Sequence, residues 1–292
     1  MSHKAGFVSI IGKPNVGKST LMNALVGEKM SIITPKAQTT RHRILGIVND
    51  ENHQIVFSDT PGVIQPKYSL QESMMSFVQG SLIDADVVLF VTDIHEKHDE
   101  NDVIDRLRHN SVPVAVLINK IDKSSEEEVL AKVAYWQEKL KPDAIFAISA
   151  LLGHNVAPLL DYIKEKLPVH PPYYDKDELT DKTMRFFVSE MIREKIFKLY
   201  DKEIPYSTEV IVTSYKEEDN ITRIAAEVIV ERDSQKNIII GKGGSMIKKV
   251  GTYARQDIEE FIGGKVFLEL FVKVIADWRA KKNHLKRFGY ED

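Results

Sequence analysis

Gly12-Lys13-Pro14-Asn15-Val16-Gly17-Lys18-Ser19-Thr20 is the stretch on which the reading of this 292-residue sequence turns. Its spacing is G-x-x-x-x-G-K-[ST], and its neighbours give it a structural setting. Ahead of it, Ala5 to Ile11 is a short apolar run of strand type; behind it, Ser19 to Val26 has helical spacing. Gly12 and Gly17 let the backbone curl so that successive N–H groups point inward. A helix starting there adds its free donors and the positive end of its dipole. The product is a socket for a polyphosphate, with Lys18 reaching the terminal phosphates as a point charge and the Ser19 hydroxyl ligating magnesium.

Composition bounds the rest. Hydrophobic residues at 43% and charged residues at 28% suit a globular chain, long enough for two domains with separate cores. A net charge of −3 selects no partner by itself, so any nucleic-acid surface must be a local patch. No cysteine is present, which excludes disulfides, thiolate metal sites and cysteine nucleophiles and fits a reducing cytoplasm. The sequence opens directly into a strand without a leader pattern, and no apolar run approaches about 18 residues, so any membrane contact is expected to be peripheral.

Onward from the loop, residues 27–42 are polar, broken by Pro35, and predict a long exposed loop. Two strands follow at 43–48 and 54–58, the second ending in Asp59-Thr60-Pro61-Gly62. A carboxylate at a strand end some 40 residues after the phosphate loop is placed to hold magnesium through water, and Gly62 frees an N–H for the γ-phosphate. Alone, D-x-x-G is also a common turn; its place after the loop is what makes it informative. Buried strands at 86–92 and 112–118 flank a polar helix, and the second ends in Asn119-Lys120-Ile121-Asp122. An ionised Asp122 can accept from both the ring N–H and the exocyclic amine of guanine, whereas adenine leaves it unpaired, a difference worth about 10⁴ or more in discrimination. The competing reading is that Asn119 and Asp122 merely cap the helix beginning near Ser124. A strand at 144–148 leads to Ser149-Ala150-Leu151, where the Ala150 N–H could meet the guanine carbonyl.

These four motifs, each at a strand end, resemble the translation-factor-related GTPases over about residues 5–167. The resemblance implies a doubly wound α/β P-loop sheet and GTP/GDP bound with Mg2+. Val63 stands where many small GTPases carry a water-orienting glutamine, so turnover is expected near or below roughly 10⁻⁴ s⁻¹. Asn15 offers a compensation, because relatives with this loop can use it to hold K+ in place of an arginine finger; a tolerated loop residue is the alternative. Thr40 best fits the switch threonine that completes the magnesium shell, with Thr39 as the second candidate. Lys18, Asn15 and Thr40 are thus the catalytic candidates, and Ser19, Thr40 and Asp59 the metal candidates.

Residues 168–180 contain three prolines and few aliphatics, and predict a semi-rigid linker between a domain at 1–167 and one at 181–292. Beyond it, 182–200 predicts an amphipathic helix with Phe186, Phe187, Met191, Ile192, Ile196 and Leu199 on one face. Strands at 207–213 and 222–230 follow around a turn at 216–220. Ile238 to Lys249, with Ile240-Gly241-Lys242-Gly243-Gly244, passes into a helix, and 266–275 returns as a strand. The order α-β-β-α-α-β with a G-x-x-G turn resembles a small α+β KH domain, which clamps about four nucleotides of single-stranded nucleic acid. Lys242, Lys248 and Lys249 add charge there. Residues 241–292 carry eleven Lys or Arg against seven Asp or Glu, so positive charge concentrates around the motif. A lone G-x-x-G is otherwise a hinge between helices. The run Trp278 to Arg287 is either a solvated basic face or a contact for RNA or membrane. His95, His98, His109 and His170 lack ligand spacing and are expected at the surface.

A GTPase domain followed by one KH domain resembles a family of bacterial ribosome-assembly GTPases over nearly the whole chain. The resemblance implies binding to the small ribosomal subunit and to the single-stranded 3′ region of its RNA. It also implies a cytoplasmic monomer able to associate peripherally with the inner face of the cell membrane. Two other readings stay open on the residues: a constitutive RNA-binding module with structural nucleotide, and a membrane-surface signalling GTPase whose basic end reads anionic lipid.

Overall fold

The computed structural model describes residues 3–96, 102–109 and 111–291, which form two compact units. One gathers the described residues within 1–31, 40–66 and 74–181; the other gathers 32–39, 67–73 and 182–291.

In chain order the first unit is built from β1 (Lys4–Ile11), α1 (Lys18–Val26), β2 (Ile44–Asn49), β3 (His53–Asp59), most of α2 (Ser69–Ile83), β4 (Val87–Asp93), α3 (Asp102–Arg108), β5 (Val114–Asn119), α4 (Glu126–Leu140), β6 (Ala144–Ala147) and α5 (Val156–Lys166). The sheet runs β2-β3-β1-β4-β5-β6; β2 is antiparallel to β3 and the other pairings are parallel. Strands β4 and β5 are buried at nearly every position, which is why they read as continuous apolar runs without alternation. Phe90 of β4 meets Trp136 of α4 edge-on at 5.2 Å, and Val78 of α2 with Ile104 and Leu107 of α3 completes this core. Helices α1 and α5 pack together as a separate layer. Because strand order reverses on either side of β1, the loops after β1 and β4 diverge and leave a crevice at the carboxyl ends of the strands.

Two expectations need correction. Residues 27–42 contain no helix or strand, yet Met30, Ser31, Ile32, Thr39, Thr40 and Arg41 are buried rather than exposed. The Asn23 side chain, accepting from the N–H groups of Met30 (3.0 Å) and Ser31 (2.9 Å), pins the start of this loop. Residues 168–180 lie within the first unit and follow β2 and β3. There Gln54 accepts from the N–H groups of Tyr173 and Tyr174, and the Ile47 N–H donates 2.8 Å to the Leu179 carbonyl. An edge strand has open backbone groups, and this segment satisfies some of them.

The second unit adds α6 (Met184–Leu199), α7 (Ile204–Ser207), β7 (Glu209–Glu218), β8 (Ile221–Val230), α8 (Asp233–Ile240), α9 (Ser245–Ile262), β9 (Val266–Val274) and α10 (Lys282–Arg287). Its sheet runs β7-β8-β9, antiparallel then parallel. Val188, Ile192 and Ile196 of α6 and Val250, Ala254 and Ile258 of α9 pack with Val210, Ile224, Ala226 and Val228 of the sheet. The turn expected at 216–220 is shorter than predicted, since both strands continue through it to Glu218 and from Ile221. Helix α6 is not simply amphipathic: Glu190, Arg193, Glu194 and Lys195 are buried along with its apolar face, each within an ion pair. The basic stretch 278–287 is not a free face either. Trp278 and Leu285 are fully buried, and the Trp278 indole donates 3.0 Å to the Ser207 carbonyl.

Candidate nucleotide and nucleic-acid sites

The phosphate loop lies between β1 and α1 as its spacing predicts. Gly12 and Gly17 adopt φ of +152° and +100°, and a Cβ at either would come within 2.2 Å of a neighbour: the Val91 carbonyl oxygen for Gly12, Asn119 Nδ2 for Gly17. Lys18 is buried, and its ammonium donates to the Gly12 (3.1 Å) and Lys13 (2.9 Å) carbonyls, which turns it across the mouth of the loop. Desolvation by burial lowers its pKa to about 8 despite the nearby Asp59 and Glu96 carboxylates. Such a lysine gains strongly from phosphate charge.

Ser19 Oγ lies 2.8 Å from Thr40 Oγ1 and donates 2.7 Å to Asp59 Oδ2, which also accepts from Ser31 Oγ at 2.8 Å. Asp59 Oδ1 is buried with no hydrogen-bond partner, and burial raises the pKa of this carboxyl above its ordinary value. Two hydroxyls and a desolvated carboxylate oxygen form an all-oxygen donor set suited to a hard divalent cation such as magnesium. The structure thus brings the three predicted metal residues together. Thr40, rather than Thr39, faces them; the Thr39 hydroxyl is engaged by Thr34 and by the Lys36 carbonyl, both at 2.6 Å. Thr60 donates 2.8 Å to the Ile10 carbonyl and so braces the strand ends. Gly62 is required by proximity, since a Cβ there would lie 2.7 Å from Pro14, and the Val63 N–H donates 3.0 Å to the Gly12 carbonyl. Pro61 links these two, and Thr20 sits half-buried in the first turn of α1.

At the end of β5, Asn119 donates 2.8 Å to the Val16 carbonyl and accepts 3.0 Å from the Ala150 N–H, tying the phosphate loop to the segment after β6. Lys120, at φ +66°, donates to the Asn15 carbonyl (2.6 Å) and to Asp93 (2.5 Å). Asp122 accepts 2.6 Å from Ser149 Oγ. Neither Asn119 nor Asp122 caps α4; that role belongs to Ser125, in a capping box with Glu128. The capping alternative is therefore excluded, and the acidic run Glu126–Glu128 occupies the first turn of α4. Asn15 is exposed at φ +65°, a conformation that asparagine tolerates.

Sequence reasoning missed Ser31, Asp93 and Glu96. Asp93 is held below the ordinary range: burial works to raise it, but hydrogen bonds from Lys120 and the His95 N–H outweigh that. Glu96 pairs with Lys13 at 3.2 Å and accepts from Thr92. Only the position of Asp93 at a strand end hinted at it. His95 and His109 contact the Lys123 and Asp105 carbonyls, His170 stacks on Tyr173 at 4.1 Å, and His98 lies outside the described residues.

In the second unit, Gly241-Lys242-Gly243-Gly244 forms a tight turn between α8 and α9, with φ of +72°, +59° and +78° at its three glycines. A Cβ on Gly243 or Gly244 would meet nothing within 4 Å, so the turn is open to an approaching backbone, whereas one on Gly241 would strike Met246. Helix α9 begins there with its N–H groups free for a phosphate. Lys242, Lys248 and Lys249 are exposed, and Ile240 is half-buried beside them. Tyr253, missed in the sequence, carries the Lys249 ammonium 5.8 Å above its ring, one helical turn on.

Both parts of the chain have counterparts among known proteins. Residues 7–120 match the family model described as a 50S ribosome-binding GTPase, and residues 203–279 match the KH domain model. A solved structure of Era in complex with MgGDPNP and nucleotides 1506–1542 of 16S ribosomal RNA is 42% identical, with TM-score 0.94, covering 99% of this chain and 100% of that one. A single-substitution variant of Aquifex aeolicus Era bound to GDP.AlF4- matches with the same identity, coverage and TM-score. A GTP-binding, GTP-hydrolysing unit followed by a KH domain, matched end to end at this identity, places the chain in the Era family of GTPases.

Proposed function

We propose that this GTP hydrolase acts as a switch in assembly of the small ribosomal subunit, binding single-stranded RNA near the 3′ end of the small-subunit ribosomal RNA through its KH unit. The observation that carries the reading is the open Gly241–Gly244 turn, set at the start of α9 among exposed lysines, on the same chain as the candidate phosphate, metal and base residues. The near-full-length relative solved with a 16S ribosomal RNA segment supports the choice of RNA.

In the nucleotide site, the N–H groups of residues 12–19 and Lys18 would neutralise phosphate charge as it shifts toward the leaving group. Asp122 would accept from guanine while Ser149 orients it, and the Ala150 N–H, which donates to Asn119 in this structure, would have to exchange that partner to reach the base carbonyl. Ser19 and Thr40 would hold magnesium directly and Asp59 through water; the ion supplies Lewis-acid stabilisation of the β- and γ-oxygens. Lacking a glutamine at Val63, the chain is expected to hydrolyse slowly, with K+ beside Asn15 as an added source of positive charge. GTP would order the loop ending at Thr40 and the segment after Gly62, and hydrolysis would release them.

The test is affinity for short single-stranded RNAs, including the 3′ small-subunit sequence, with the protein held in GDP or a non-hydrolysable GTP analogue. A tenfold difference, about 1.4 kcal/mol of coupling, is the expected result. Equal affinity in both states would leave the KH unit a constant tether and remove the switch. Absence of RNA binding at low salt, with binding to anionic vesicles instead, would replace this reading with a peripheral membrane role. Among the described residues no helix is long and apolar enough to cross a membrane.

A further inference from the structure

Helix α1 reaches the Asp59 carboxylate by two routes, and only the first belongs to a nucleotide motif. Ser19, in the first turn, donates 2.7 Å to Asp59 Oδ2 directly. Asn23 follows four residues on, on the same face of the helix, and reaches the carboxylate through Ser31. Its side-chain oxygen accepts from the N–H groups of Met30 (3.0 Å) and Ser31 (2.9 Å), and its amide nitrogen donates 2.8 Å to the Ser31 carbonyl. Both backbone polar groups of Ser31 are thereby held by one side chain. The hydroxyl of Ser31, a buried residue, then donates 2.8 Å to the same Asp59 Oδ2. All of these residues lie in the first compact unit.

The consequence is a division of labour between the two carboxylate oxygens. An aspartate carboxylate swivels broadly about χ2, and a single donor leaves it free to turn about that one bond. Two hydroxyls meeting Oδ2 from separate segments fix its plane and occupy its lone pairs. Oδ1, in contrast, is buried and has no hydrogen-bond partner. Such an oxygen is costly to leave unpaired, and a water on a hard cation would satisfy it. Ser19 gains from the same arrangement: with its proton given to Oδ2, its lone pairs are left for Thr40 Oγ1 or a cation.

We propose that Ser31 is a positioning residue of the magnesium site, fixing the Asp59 carboxylate so that Oδ1 stays available to a magnesium-bound water, with Asn23 as the clamp that holds Ser31. The inference rests on Asp59 being a residue of that site. The hydrogen bonds of Ser31 go to Asn23 and Asp59, so its effect falls on the metal-dependent part of nucleotide binding.

The test uses the full-length chain with S31A, S31C and D59N variants. It measures release of a fluorescent GDP analogue and single-turnover GTP hydrolysis across a magnesium titration, and GDP affinity in EDTA. S31A removes the donor, whereas S31C keeps the volume but offers only a weak S–H donor. In both variants we expect half-saturation to need about tenfold more magnesium, with GDP affinity in EDTA within about twofold of wild type. Because Ser31 acts through Asp59, S31A added to D59N should move the half-saturation point by less than about twofold. A packing role would leave S31C like wild type, or would lower GDP affinity in EDTA as much as in magnesium; either result overturns the inference. Wild-type magnesium dependence in folded S31A, beside a shifted D59N, would overturn it alone. A D59N protein with wild-type magnesium dependence would overturn the placing of Asp59 in the metal site, and this inference with it.

Discussion

Asn119 Nδ2 donates 2.8 Å to the Val16 carbonyl from 103 residues away, and a Cβ on the adjoining Gly17 would lie 2.2 Å from that same nitrogen. The base-selecting segment and the phosphate loop are thus one interlocked structure.

A Gly17→Ala protein meets two obstacles, the clash with Asn119 and a φ of +100° that alanine disfavours. We expect GTP and GDP affinity to fall at least a hundredfold by fluorescent-nucleotide titration, with circular dichroism unchanged.

Asp122→Asn replaces an acceptor pair by an acceptor and a donor. Guanine then faces a mismatched group beside Ser149, and affinity for GTP should drop at least a hundredfold. Xanthosine triphosphate, which carries a carbonyl where guanine has its amine, should gain affinity in the same variant. Competition binding with the two nucleotides decides it.

Lys18 imposes a pH dependence on nucleotide binding. Its pKa is about 8 in the free fold, and a bound polyphosphate would raise it. Below pH 8 both forms are protonated and affinity should be flat. Above pH 8 the free protein loses a proton that the complex keeps, so affinity should fall by up to tenfold per pH unit. The difference between wild type and K18A isolates the effect, since ionisation of guanine is common to both. For folding without nucleotide the sign reverses: the burial cost is fully present below pH 8 and is relieved as pH rises toward the unfolded value of 10.5.

Exchanging Na+ for K+ tests Asn15. Hydrolysis should accelerate about tenfold or more in K+, and Asn15→Gly, which keeps the φ of +65° accessible, should abolish the difference. Equal single-turnover rates in the two salts would remove potassium from the mechanism.

Trp278 anchors the basic C-terminal stretch. Its full burial and its bond to the Ser207 carbonyl predict a loss of about 3–5 kcal/mol for Trp278→Ala in the KH unit. Denaturant unfolding should show the transition of that unit shifted and the nucleotide-bound transition unmoved.

The nucleotide site was largely legible because its motifs are local. Gly12, Gly17, Asp59 and Asp122 each depend on a turn or strand end within a few residues, and the strands between them are buried apolar runs that periodicity detects. The sequence favoured Thr40 over Thr39 without excluding the latter: both are buried, and the Ser19 contact is what separates them in the structure. Residues 168–180 looked like a linker because prolines and polar residues are counted the same whether or not Gln54 and Ile47 hold them. The basic run 278–287 reads as either a solvated face or a contact for RNA or membrane, because no pattern announces that Trp278 and Leu285 are buried.

The order of elements, guanine selection and the G-x-x-G turn belong to the sequence by itself, since each follows from backbone freedom, dipoles or hydrogen-bond complementarity over a handful of neighbouring residues. What only the tertiary structure decided is what each motif leans on. Asn119 reaches Val16, and Arg193 reaches Thr39 across 154 residues of chain. Such pairings arise when a packed core brings distant polar groups together and burial makes an unmet hydrogen bond costly, and nothing in the local pattern of either partner encodes the other.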